Sequence, residues 1–110
     1  MIEKDLYLAL KEVCDRVYPL KLPQNALYPA ITYMVVNDGQ NQTTNGKITS
    51  RDVRFQVDIW CETYEEAKSL KDSVVAKITE LYASSIYAQD FYEDEVELYR
   101  ELIDFTIKRT

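Results

Sequence analysis

Histidine is absent from this 110-residue chain. That removes the commonest general base and the commonest metal ligand near neutral pH. Ser-His-Asp and Cys-His nucleophile arrangements are excluded within one chain, and so are zinc sites of the Cys-His type. Cysteine is scarce as well: Cys14 and Cys61 are too few for a four-thiolate site. They read as reduced, partly buried thiols, one inside an expected helix and one at a strand end. Glycine occurs only at Gly39 and Gly46, a spacing that fits neither a P-loop nor a GxGxxG phosphate cradle. No apolar run approaches the roughly 20 residues of a membrane helix, and Met1-Ile2-Glu3-Lys4-Asp5 does not read as a signal peptide, so a soluble, cytoplasmic chain with no membrane partner is expected. In that setting the glycosylation pattern Asn41-Gln42-Thr43 is accidental. Basic residues are in deficit, 13 against 19 acidic, for a net charge of −6. Such a chain repels phosphate backbones unless its basic residues segregate onto one face, and Lys108-Arg109 is their densest pair.

What is present is patterned for folding. The apolar fraction of 46% is ordinary for one globular domain spanning residues 1–110. From Arg51 onward, Val53, Phe55, Val57 and Ile59 fall on one side of an extended chain, and Arg54, Gln56, Asp58 and Trp60 on the other. Thr63 and Glu66 then form a capping box that opens a helix from Tyr64 to about Tyr82, striped by Ala67, Leu70, Val74, Ile78 and Leu81. An earlier helix is expected from Ile2 to about Val17, stopped by Pro19. Leu20 to Tyr28 is a connector. Strands are expected at Ala30–Val36, Ile86–Tyr92 and Leu98–Lys108, the last alternating through Tyr99, Glu101, Ile103, Phe105 and Ile107. The order is α-β-β-α-β-β, an α+β fold in which a four-stranded antiparallel sheet carries helices mainly on one face.

Three surfaces stand out. Asn37–Ser50, with Asp38, Gly39, Asn41, Thr43, Asn45 and Gly46, is rich in amides and hydroxyls and reads as a long hairpin loop. Hairpins usually need only two to five residues, so the excess suggests ordering against a neighbour. The acidic run Asp90, Glu93, Asp94, Glu95 and Glu97 lacks the spacing and glycine turn of an EF-hand, and reads as a solvated turn or a charged docking surface. Trp60 stands on a polar strand face beside Arg54, Gln56 and Asp58, where a large aromatic calls for cover by a helix or by another subunit. The nine tyrosines suit core boundaries and protein contacts. Base stacking on the sheet is disfavoured, because the strands lack the RNP pattern and the charge has the wrong sign.

Tyr28-Pro29-Ala30-Ile31-Thr32-Tyr33, Arg54-Phe55-Gln56-Val57-Asp58-Ile59-Trp60 followed by Thr63-Tyr64-Glu65-Glu66-Ala67, and Tyr99-Arg100-Glu101-Leu102-Ile103-Asp104-Phe105 together resemble the small tail completion proteins of long-tailed bacteriophages, the tail-to-head joining and tail terminator group. Cys61, where a small residue is common, and the amide-rich loop depart from that pattern. The resemblance implies a structural virion protein without enzymatic activity or cofactor, assembled in the host cytoplasm. It would form a homo-hexameric ring at the head-proximal end of the tail, end tube polymerisation and meet the tail tube protein and the head-tail connector protein. DNA would be only passing cargo, and six copies would carry about −36 around it. A ring needs one patch to meet a different patch on the next copy. The long loop, the polar strand face and the acidic turn are the candidates, and the loop would be mobile alone and order on assembly. The alternative reading is a stand-alone α+β regulatory module binding a small ligand between subunits.

Overall fold

The apolar alternation around Val57 becomes the centre of a sheet. In the computed structural model, which describes residues 2–42, 45–46 and 48–109, the elements run α1 (Ile2–Val13), β1 (Val17–Pro19), β2 (Ala30–Gln42), β3 (Ile48–Cys61), α2 (Tyr64–Glu80), β4 (Ala83–Glu93) and β5 (Leu98–Arg109). The strand order is β1-β2-β3-β5-β4. The four expected strands pair antiparallel. A fifth, β1, pairs parallel with β2 through Val17↔Ile31 to Pro19↔Tyr33, so the sheet is mixed rather than wholly antiparallel.

That strand also shortens the first helix. Helical bonding ends with Cys14 N–H donating to the Leu10 carbonyl at 3.0 Å, and the Arg16 carbonyl then accepts from Ile31 N–H at 2.8 Å. Val17 fits the helical stripe in sequence, yet it is buried as a strand residue. Three residues are too few to show a period of two.

A second correction concerns Asn37–Ser50. Residues through Gln42 belong to β2 and those from Ile48 onward to β3. The ladder runs out to Asn41↔Ser50 and Gln42↔Ile48, so only 43–47 lie between the strands. Polar composition concealed a ladder whose bonds are made by the backbone, which does not depend on side chains. Gly46, at φ +80°, takes the left-handed conformation that favours glycine in a turn. Thr43 lies outside the described residues.

Both helices cover one face of the sheet. Val53, Phe55, Val57, Ile59, Ile103, Phe105 and Ile107 pack there with Leu6, Leu10, Ala67, Val74 and Ile78, and all but Ala67 are wholly shielded from solvent. The Thr63 cap forms as the sequence implies: its hydroxyl accepts Glu66 N–H at 3.3 Å. Cys14 and Cys61 are free and buried, Cys14 one residue beyond α1 rather than within it. Burial pushes the Cys61 thiol up to about 12, which leaves it a poor nucleophile.

The molecule is long, with principal extents of 52 × 26 × 22 Å and a radius of gyration of 15.0 Å. A compact chain of this size would have a radius nearer 13 Å. The β2–β3 hairpin supplies the excess, because β5 follows β3 only as far as Arg51↔Arg109. Its root is held by charge. Arg51 and Arg109 are cross-strand neighbours, an unfavourable like-charge pair on its own. Arg51 meets Asp38 at 2.7 Å and Glu3 of α1 at 3.2 Å, while Arg109 meets Asp5 of α1 at 2.9 Å.

Candidate assembly interface

The face of the sheet away from the helices carries Arg54, Gln56, Asp58 and Trp60 from β3. Helix cover of Trp60 is therefore not what this fold provides. Its indole N–H donates to Thr32 Oγ1 at 3.1 Å, and Arg100 of β5 lies across its ring. Arg100 organises this end of the face. Its guanidinium carbon lies 5.4 Å from the Trp60 ring centroid and 4.5 Å from that of Phe91, an arrangement for cation–π attraction. The same group reaches Asp58 at 3.2 Å and Glu93 at 2.9 Å. Gln56 donates to the other Asp58 oxygen at 2.9 Å. Farther toward the hairpin, Arg54 makes a two-pronged contact with Asp104 at 2.8 and 2.9 Å.

Arg100 thus joins two of the three expected surfaces, the polar strand face and the acidic turn. Between them is an open depression of about 710 Å3, with Trp60 and Arg100 on one side and Glu93, Asp94, Glu95 and the half-exposed Val96 on the other. The third surface is at the opposite end of the long axis: Asp38 and Gly39 lie on β2 near the hairpin root, with Asn41 beyond them and Asn45 and Gly46 at its tip. The acidic run is also divided. Glu93 faces Arg100, whereas Asp90 turns to the helix side, where it accepts from Tyr64 at 2.8 Å and from Lys68 at 2.9 Å.

Sequence reasoning did not single out Arg100, Asp104, Lys68 or Glu101 for these roles. Glu101 had left a signal, because it falls in the apolar register of β5. It is only 1% exposed, and Lys68 meets it at 3.1 Å. Burial raises its pKa, and the nearby Asp90 adds to the effect. Burial likewise raises Asp58, outweighing Gln56 and Arg100. Asp90 is lowered, chiefly by its hydrogen bond with Glu101 and then by Lys68 and Tyr64. Asp38 is lowered by Arg51.

These shifts fix a direction for stability against pH. A carboxyl raised in the native state binds its proton more tightly there than in the unfolded chain. Its stabilising effect is full below the unfolded value of about 4 and is lost as pH rises through the native value. Asp90 and Asp38 act oppositely: their contribution is present above about 4 and is lost as pH falls through their depressed native values. The melting temperature is expected to peak in mild acid and decline toward neutrality. Asp58→Asn combined with Glu101→Gln should flatten that decline. Scanning calorimetry across the acidic to neutral range checks it, and a melting temperature that climbs steadily to neutrality contradicts it.

The described residues hold no cluster of three or more His, Cys, Asp or Glu side chains arranged to bind a metal ion. None of the described helices is long and apolar enough to cross a membrane. The family model described as Tail completion protein gp17 matches residues 7–108. The chain belongs to that family. No curated protein gives a match to it. As a tail completion protein it is a structural component of a bacteriophage tail, with the α+β architecture expected of the resemblance. The matched range contains all of the sheet strands except the last residue of β5, and both ends of the long axis.

Proposed function

We propose that this tail completion protein is a non-enzymatic subunit that joins copies of itself into a sixfold ring at the head-proximal end of the tail. The ring stops the growth of the tube and offers the head connector a surface. The family match over residues 7–108 carries this reading. The form of the molecule supports it, since a long subunit with unlike ends can offer one end to the tube and the other to the connector. The depression between Trp60 and the acidic turn, and the hairpin at the other end, are the surfaces assigned to the tube and to the connector.

The test adds the purified protein to polymerising tube subunits and follows tube length by electron microscopy. Capped tubes of limited length bearing six-membered rings are expected; tubes that elongate regardless would count against the reading. Trp60→Ala sharpens the test. Capping should weaken by roughly tenfold or more, as for an interface anchor, while the melting temperature of the free chain changes little. An equal loss in both would make Trp60 a folding residue held by Thr32 and Arg100.

A further inference from the structure

We infer that copies of this chain join through the edges of their sheets, with β4 of one copy pairing antiparallel to the outer edge of β2 of the next. This deepens the self-assembly reading and rests on it. Both edges are open. β4 is the outermost strand on its side, and β1 covers β2 only at Ile31, Thr32 and Tyr33. Neither β2 nor β4 contains the proline, lysine or arginine that commonly guards an exposed edge.

The two edges match in direction, height and polarity. β2 opposes β3, β3 opposes β5 and β5 opposes β4, so β2 and β4 run in opposite senses. A neighbour in the same orientation therefore offers its β2 to β4 as an antiparallel partner. That contact joins two different patches, as a closed ring requires. The heights follow from the registers. Met34, Gln56, Asp104 and Tyr87 form one row across the sheet, and Asp38, Val53, Ile107 and Ala83 another. The free edge Met34–Asp38 thus stands level with Ala83–Tyr87.

Each edge also carries its register break at one level. Val36 is the extra residue of β2 beside Val35↔Phe55, and β4 breaks between Ser84 and Tyr87, opposite Phe105. A bulge on one edge alone would turn it away from a partner. Exposed apolar side chains stand at this height on both edges, Val35 at 38% and Val36 at 41% on β2 and Tyr87 at 71% on β4, while Tyr92 at 48% lies toward the other end of β4. Below this height, β1 of the next copy blocks β2, so each join is short. A single join is weak, and closure of the ring adds the last one without a further loss of freedom.

Cysteine exchange tests the inference. Met34→Cys and Tyr87→Cys, which stand level on the face away from the helices, are made separately, with native melting confirmed, and Cys14 and Cys61 are left in place because they are buried. Under mild oxidation, a mixture of the two variants should give several-fold more disulfide-linked dimer than either alone. The double variant should give a ladder of multimers. Tyr87→Cys crosslinking mainly to itself would mean two-fold pairing of β4 and would overturn the inference. A mixture that stays uncrosslinked would also overturn it. If that mixture still caps tubes with rings, the edge contact fails while the proposed function stands. If it crosslinks yet tubes grow uncapped, the function fails and the edge contact survives.

Discussion

Phe105→Ala is expected to remove about 3–5 kcal/mol of folding stability, the range for truncating a buried aromatic. The ring of Phe105 is fully buried, 5.7 Å from that of Phe55 on the adjoining strand, beneath the two helices. Truncation would leave a cavity in the row where the sheet meets the helix layer and would remove an aromatic pairing worth about 0.5–1.5 kcal/mol by itself. Domains of this size have only about 5–15 kcal/mol in total, so the variant should melt roughly 12–30 °C lower. Phe105→Leu should recover more than half of the loss, because it restores most of the volume. Urea melts of the three proteins provide the measurement. A loss below about 1 kcal/mol for the alanine variant would show that the row tolerates a void.

Arg100→Ala is expected to cost about 3 kcal/mol, near the lower end for breaking a buried ion pair. The reason differs from that at Phe105. Asp58 is 7% exposed and would keep only Gln56 as a partner. Trp60 and Phe91 would also lose the cation lying between them. Lysine is expected to be a poor replacement, since it lacks the planar fork that meets two carboxylates while lying flat on the rings. The decisive comparison is Arg100→Ala with and without Asp58→Asn. If the cost comes from a stranded carboxylate, the second change restores part of the stability. Additive losses would place the effect in the lost ring contacts instead.

Much of this architecture was legible because residue spacing and side-chain chemistry agreed. The alternation of β3, the Thr63 cap and the stripe of α2 each rest on a short-range rule, and each appears as expected. β1 was not legible. Val17, Tyr18 and Pro19 form a strand because β2 arrives beside them, a contact made between distant parts of the chain. The hairpin was misread because amides and hydroxyls suggest irregular structure, whereas the strands there are set by pairing. At the candidate interface, Trp60 and the acidic turn were visible one by one. Their connection through Arg100 was not, because register between β3, β5 and β4 cannot be counted from spacing within one strand. Glu101 was the clearest missed sign: a carboxylate in an apolar register needs a partner, and Lys68 supplies it from α2.

The clasp of Arg51 and Arg109 onto Glu3 and Asp5 makes the hairpin a lever with its fulcrum on α1. A load applied at the tip reaches the first turns of that helix through charged contacts that ions in solution weaken. The stiffness of the projection should therefore soften with added salt, while the layer between sheet and helices stays firm.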